Sequence, residues 1–123
     1  NSKKMNKINS FKDLYVWQKS MELAKFCYLV ANSLPSHEVY GLGSQLRRSA
    51  ISIPSNIAEG HKRGTKDFLR FLLISFGSSA ELETQLLLLK EIYPDISVER
   101  EIALVQEIEK MISVLIKKLK QKL

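Results

Sequence analysis

The chain has 123 residues, of which 45% are apolar and 26% charged, and its formal net charge of +6 gives an isoelectric point near 9.5. The length fits one domain of ordinary size, and the apolar fraction is sufficient for a globular core. The single cysteine, Cys27, excludes an intrachain disulfide. The cysteine usage fits a reducing compartment, and the first ten residues lack a secretory signal. No apolar run reaches the ~18 residues of a membrane span. We therefore expect a cytoplasmic protein without a membrane partner.

The first predicted element is a flexible basic arm over residues 1–10, followed by a single helical domain over residues 11–123. Ser10 or Asp13 is expected to cap the first helix, in which apolar residues recur at steps of three and four. Pro35 is expected to end this helix, because the residue before a proline avoids helical backbone angles.

The second predicted helix, from about residue 42 to Glu59, carries two different stripes. Its apolar stripe consists of Leu42, Leu46, Ala50, Ile53 and Ile57. Its polar stripe consists of Gln45, Ser49, Ser52, Asn56 and Glu59. Pro54 lies between them, and an interior proline removes one backbone donor at a cost of about 3 kcal/mol. The pattern predicts a helix that is kinked at Pro54, with Gly60 as its C-terminal glycine.

Two further helices follow the predicted loop from Gly60 to Gly64. Thr65 is expected to cap a third helix that ends near Ile92, and this helix is apolar on several sides, which predicts burial on several sides. Ser97 is expected to cap the fourth helix, which has two apolar stripes. Four helices with short connections predict an all-α, antiparallel up-down-up-down four-helix bundle.

The apolar surface of these helices exceeds what one small bundle can bury. We therefore predict self-association through a helix face. The other interpretation is a wide core with scattered exposed leucine and isoleucine side chains, which is common in monomers.

A polar seam is expected where the second and third helices meet. The third helix contributes Ser78, Glu81 and Gln85, which share one face. Glu59 and Glu81 can be interpreted as an acid–base pair, or as part of a structural network with Arg47 or Arg48 that fixes helix register. We favour the structural network, and a buried Glu81 predicts that Glu81→Ala sharply lowers the melting temperature.

The spacing of metal-binding and nucleophilic side chains fits no known catalytic pattern. His37 and His61 lack the Glu-x-x-His spacing of a di-iron bundle, and one cysteine with two separated histidines does not make a zinc site. Gly60 and Gly64 are too close for a phosphate-binding loop. Cys27 is predicted to be an inert packed thiol. We predict no enzymatic activity, no catalytic residue, no metal and no cofactor.

Basic side chains are concentrated near the start of the chain, around the second and third helices, and at its end. They can be interpreted as ordinary solvated surface or as an attraction for nucleic acid. The candidates for nucleic-acid contact are Arg47, Arg48, Lys62, Arg63, Lys66 and Arg70.

Several sequence blocks together resemble a known protein family. The blocks are Phe11-Lys-Asp-Leu14, Val16-Trp17-Gln18, Tyr40-Gly-Leu42, Ser52-Ile-Pro-Ser-Asn-Ile-Ala-Glu-Gly60 and Gly77-Ser-Ser-Ala-Glu-Leu-Glu83. They are similar to the four-helix-bundle proteins encoded by intervening sequences in bacterial large-subunit ribosomal RNA genes, some of which are labelled ribosomal proteins. The chain is also distantly similar to accessory bundle proteins of diversity-generating retroelements, which bind a reverse transcriptase and nucleic acid.

This resemblance implies a bundle that assembles into a ring, a pentamer, and implies no enzymatic activity. Together with the charge pattern, it leads us to predict a homo-oligomer that binds nucleic acid, with RNA favoured. The alternative is a scaffold that recruits a partner protein through the face or the pore of the ring.

Overall fold

The computed structural model describes residues 9–123, and residues 1–8 of the predicted basic arm lie outside this range. Four long helices account for most of the described chain, and residues 9–123 contain no β-strand. The helices are α1 (Tyr15–Ser33), α2 (Leu42–Arg63), α3 (Thr65–Ile92) and α4 (Glu99–Lys122). The predicted all-α class with four helices is confirmed.

A short 3₁₀ turn over Phe11–Asp13 precedes α1 and takes the caps that were predicted for the helix itself. The Lys12 amide donates to Ser10 Oγ at 3.1 Å, and the Ser10 amide donates to the Asp13 carboxylate at 3.1 Å. The Phe11 ring packs edge-on against the ring of Trp17, with centroids 5.3 Å apart. The turn is therefore fastened to the first part of α1.

Helix α2 extends one turn beyond its predicted end, so the prediction of Gly60 as a C-terminal glycine is wrong. Gly60 is buried inside the helix, and a Cβ atom built on it would lie 2.6 Å from Phe71 Cβ and 3.2 Å from Phe68 Cα. The glycine is needed there because it lets α2 and α3 approach closely. The helix ends at Gly64, whose φ of +110° lies in the region that side chains disfavour.

Two predicted N-caps are also wrong. Thr65 is the first residue of α3, and Gly64 occupies the cap position without a side-chain hydrogen bond. Val98, not Ser97, precedes α4, and it too supplies no capping side chain. Val98 is fully buried, so the start of α4 is held by apolar packing rather than by a hydroxyl group.

One hydrophobic core joins the four helices. Each helix packs on its neighbours in the chain, and α1 also packs on α4. On α3 the core positions Leu72, Leu82, Leu86 and Leu89 are fully buried, whereas Leu73, Ile74, Leu87 and Leu88 are exposed. The single bundle therefore buries only one side of α3, contrary to the expectation of burial on several sides.

Helix α3 is also the one helix in residues 9–123 whose length and composition suffice for a membrane span. Its best 18-residue window has a mean hydropathy of 1.2, and 33% of that window is buried. Core helices of water-soluble bundles pass the same test, and α3 packs on α2 and α4 along its buried side. Its apolar character follows in part from that packing.

Candidate nucleic-acid interface

The structure divides the six predicted nucleic-acid contacts into two groups. Arg47 and Arg48 lie near the start of α2, whereas Lys62 and Arg63 lie at its end. At 1.5 Å per residue, Arg48 and Lys62 are separated by about 21 Å along the helix. Lys66 and Arg70 lie in the first two turns of α3, next to the end of α2. We call Lys62, Arg63, Lys66 and Arg70 the junction cluster.

Arg47 and Arg48 are not in buried ion pairs. Arg47 Nη2 donates to the carbonyl of Val39 at 3.1 Å, which fastens α2 to the turn before it. Arg48 Nη2 donates to Gln45 Oε1 at 2.9 Å and lies 3.7 Å from Glu81 Oε2, and its side chain is 69% exposed. Arg48 therefore keeps its guanidinium group accessible, while Arg47 has a local structural contact.

Within the junction cluster, the two arginines share one aromatic ring. The Arg63 and Arg70 guanidinium carbons lie 5.1 Å and 4.8 Å from the centroid of the Phe71 ring. Arg63 Nη2 lies 2.9 Å from Glu59 Oε2, and Arg70 Nη2 lies 3.7 Å from Asp67 Oδ1. Stacking on the ring and pairing with a carboxylate hold both arginines in place and offset part of their charge.

The two lysines of the cluster are exposed and form no ion pair within residues 9–123. They flank Gly64, where α3 begins without a side-chain cap. The first amides of a helix carry a partial positive charge and attract anions. Lys62 and Lys66 thus place two exposed positive charges beside the start of α3, whose first turn also contains Asp67.

Serine hydroxyl groups connect α2 and α3 along the predicted polar seam. Ser49 Oγ donates to Gln85 Oε1 at 2.7 Å, and the hydroxyl oxygens of Ser52 and Ser78 lie 2.8 Å apart. Asn56 Nδ2 donates to the Ser52 carbonyl at 2.8 Å. Within the described chain every buried side-chain nitrogen or oxygen has a hydrogen-bond partner. The geometry is that of a satisfied helix–helix contact.

A fully buried polar contact of this interface was not selected from the sequence. Ser75 is fully buried, and its Oγ donates to the carbonyl of Ile53 at 2.9 Å. The residue lies three positions before Ser78, at helical spacing, so the same periodicity could have identified it. Its acceptor could not have been predicted, because a backbone carbonyl leaves no trace in a sequence pattern.

The structure contradicts the interpretation of Glu59 and Glu81 as an acid–base pair. Glu59 pairs with Arg63 near the end of α2, whereas Glu81 pairs with Arg48 near its start. Positions 59 and 48 are about 16 Å apart along the helix. Glu81 is also about half exposed, so the expected buried ion-pair network is a surface ion pair. The hydrogen bonds of the polar seam are made by the Ser, Asn and Gln side chains.

A different carboxyl pair, Glu83 with Glu109, lies between α3 and α4. Burial, a hydrogen bond with Glu83 and the charge of that carboxylate raise the pKa of Glu109 from its usual 4.5 to about 7. Gln106 Nε2 also donates to Glu83 Oε2 at 2.9 Å, and the pair lines a cavity of about 460 Å³. Residues 9–123 contain no group of three or more potential metal-ligating His, Cys, Asp or Glu side chains. Glu83 and Glu109 are distant in the chain, so their pairing is not evident from the sequence.

Comparison with known proteins gives one family. A family model described as 23S rRNA-intervening sequence protein matches residues 12–117. No curated protein matches the chain. The matched range contains all of α1, α2 and α3 and most of α4, so the polar seam and the junction cluster both lie inside it.

Proposed function

The chain belongs to the family of 23S rRNA-intervening sequence proteins, and from this premise we propose that it is a non-enzymatic, homo-oligomeric bundle that binds RNA through one basic end. The observation that carries this proposal is the junction cluster, where two exposed lysines flank the uncapped start of α3. The proposal includes a cytoplasmic location and a ring of subunits, five by resemblance to the family.

Part of the proposal is that the four helices alternate in direction. The support is that contact partners on α2 and α3 run in opposite order: Ser49 with Gln85, Ser52 with Ser78, and Ile53 with Ser75. We also propose that α2 bends at Pro54, since a proline has no amide for the carbonyl of Ala50 and interior prolines are the usual cause of kinks.

Alternating helices bring two basic parts of the chain to the same end. The support comes from Leu14 and Val16, which share a cavity with Met111 and Leu115 near the end of α4. Beyond that cavity α4 continues to four exposed lysines: Lys117, Lys118, Lys120 and Lys122. The junction cluster and these lysines then form one basic end.

The other end lacks this excess of positive charge. Tyr93 donates to Glu38 Oε2 at 2.5 Å, and this hydrogen bond joins the α1–α2 connection to the α3–α4 connection. Residues 90 to 101 contain four acidic and two basic side chains. A chain with this polarity is steered by a polyanion so that its basic end arrives first.

The chemistry of the basic end favours phosphate contact over base reading. Phe71 is buried beneath its two arginines, so the cluster lacks an open aromatic platform on which single-stranded bases stack. Lysine side chains and a helix start bind phosphate oxygens without sequence preference. Structured RNA, recognised by its shape and backbone, is therefore the favoured ligand.

The described side chains supply no evident catalytic group. Burial, with a smaller contribution from the charge of Glu101, raises the pKa of the Cys27 thiol to about 12, so the thiol is unreactive at neutral pH. Glu59 and Glu81 are held apart by different arginines. These observations support the non-enzymatic part of the proposal.

The proposal is tested by comparing two double variants that remove the same charge. Lys62→Gln with Lys66→Gln changes the junction cluster, and Lys90→Gln with Lys110→Gln changes exposed lysines elsewhere. Binding of a fluorescent structured RNA at low salt is measured by anisotropy. We expect the junction variant to lose at least about tenfold in affinity and the control to lose less.

Equal losses in the two variants would contradict the assignment of the interface to the basic end. The alternative function, recruitment of a partner protein through a ring face or pore, predicts partner binding that survives the Lys62 and Lys66 changes. RNA binding that is unaffected by either double variant would also contradict the proposal.

A further inference from the structure

Two apolar surfaces of the bundle have no partner within the described chain. The first is a groove of about 710 Å³ between α1 and α2. Its main apolar lining residues are Trp17, Met21, Tyr28, Leu29, Ile51 and Pro54. Lys25 is its one charged lining residue. We call this surface the groove.

The second surface runs along the outer side of α3. It consists of Leu73, Gly77, Ala80, Thr84 and Leu87, which recur at alternating steps of four and three and are all exposed. The two leucines lie at its ends and small residues lie at its centre, so another helix or groove wall can approach closely. Ile74 and Leu88 widen its apolar area. We call this surface the ridge.

The groove and the ridge lie on different parts of the bundle. Helices α1 and α3 do not pack on each other in the described chain, although each packs on α2 and α4. A contact of ridge with ridge would leave the groove open to water. A contact of the ridge of one copy with the groove of another covers both surfaces, and removing apolar surface from water is the main favourable term in association.

The two surfaces also match in length and in charge. The groove extends from Trp17 to Leu29, about 18 Å of helix, and the ridge extends from Leu73 to Leu87, about 21 Å. The groove carries the positive charge of Lys25, whereas residues 71 to 89 of α3 contain two glutamates and no lysine or arginine. A second copy of this chain therefore matches the groove in length and in the sign of its charge.

We propose that the ridge of one copy binds in the groove of a second copy. The contact joins two different surfaces, so it is heterologous and repeats from copy to copy until a ring closes. This inference rests on the self-association part of the proposed function and is independent of the RNA-binding part.

A lipid surface is a poorer partner for the ridge. Although α3 is long and apolar enough to span a membrane, Glu81, Glu83 and Gln85 lie in its central part. A carboxylate near the centre of a bilayer is strongly unfavourable. At an interface between copies, these side chains stay at the edge of the contact with access to water.

The test uses two variants that each damage one surface at an exposed position. Ala80→Glu places a charge at the centre of the ridge, and Ile51→Glu places one in the groove. Ser113→Glu, on an exposed position of α4 outside both surfaces, is the matched control. Helix content and melting temperature are measured first by circular dichroism, and mass is measured by light scattering after size exclusion.

We expect the wild type and Ser113→Glu to form the same assembly and each interface variant alone to be monomeric. An equal mixture of the two interface variants should form a dimer, because it retains one intact ridge and one intact groove. If either interface variant keeps the wild-type mass, or if the mixture stays monomeric, the proposed contact is wrong while self-association can still hold.

Two further outcomes separate the remaining explanations. A monomeric wild type would contradict both the self-association and the ridge–groove contact, while RNA binding is tested separately. If the wild type sediments with phosphatidylcholine vesicles and Ala80→Glu does not, the ridge is a lipid-binding surface and the proposed contact is overturned.

Discussion

Single side chains show that hydroxyl groups, rather than charges, connect α2 to α3. Ser75 is fully buried against the Ile53 carbonyl, whereas Glu81 is about half exposed beside Arg48. A buried hydrogen bond contributes about 0.5–1.5 kcal/mol, and an exposed ion pair about 0–1 kcal/mol. The seam therefore depends more on its small residues than on its glutamate.

Ser75→Ala tests this difference. We expect the free energy of unfolding to fall by about 1 kcal/mol, because the Ile53 carbonyl loses a hydrogen bond that water does not replace. Glu81→Ala, the comparison, should change it by no more than about 1 kcal/mol because the ion pair is exposed. Both are measured by urea unfolding. A larger loss for Glu81→Ala than for Ser75→Ala would restore the buried network expected from the sequence.

Gly60→Ala should destabilise the protein even though alanine is the better helix former. The added Cβ would lie 2.6 Å from Phe71 Cβ, so α2 and α3 must move apart, at a cost of about 1–3 kcal/mol. Ser113→Ala, at an exposed position of α4 outside the ridge and the groove, is the control and should stabilise the helix by up to about 0.7 kcal/mol. Thermal melts measure the stability of both variants, and light scattering checks that their mass is unchanged. A stabilising Gly60→Ala would contradict the close approach of α2 and α3.

Glu109 predicts a pH-dependent stability. Its pKa is about 7 in the folded chain, above its usual 4.5, so the folded state binds more protons than the unfolded state between these values. This contribution to stability is lost as the pH rises through 7. Glu109→Gln should therefore raise the melting temperature relative to the wild type at pH 8 and have little effect at pH 4. An equal effect at both pH values would contradict the raised pKa.

Whole helices were predictable from the sequence because their apolar residues repeat at helical spacing. All four helices and the stop at Pro35 follow from that pattern and from backbone rules. The end of α2 was not predictable from the sequence. Glycine is common at helix ends, but Gly60 lies inside α2, where the absence of a side chain allows close contact with Phe71. A contact between distant helices decides its role, and periodicity within one helix does not report such a contact.

The direction of α3 relative to α2 is tested by cross-linking. In a chain with Cys27→Ala, Ser52→Cys with Ser78→Cys should form an intrachain disulfide under mild oxidation, because the two hydroxyl oxygens are 2.8 Å apart. Ser52→Cys with Gln85→Cys is the control, because Gln85 contacts Ser49, one turn away from Ser52. Free thiols are counted by mass spectrometry, and equal cross-linking of both pairs would contradict a fixed antiparallel register.

For the whole molecule, the sequence predicted a basic surface but not its shape. Lys62, Arg63, Lys66 and Arg70 are near one another in the chain, so their grouping follows from the helix boundaries. Two features depend on packing between helices: the pairing of Arg48 with Glu81, away from this group, and the stacking of Arg63 and Arg70 on the aromatic ring of Phe71. The groove was also unpredictable, because its lining residues come from two helices and the sequence of one helix does not show how the other packs against it.

The central claim is that this bundle binds RNA by neutralising phosphates with its basic end. It is tested most directly by measuring the association constant for a structured RNA over a range of salt concentrations. The account predicts that the logarithm of the constant falls linearly with the logarithm of salt, by about 0.7–0.9 per phosphate neutralised. It also predicts a shallower slope, by about one for each lysine removed, for Lys62→Gln with Lys66→Gln. No binding at low salt, or an affinity that does not change with salt, would contradict it.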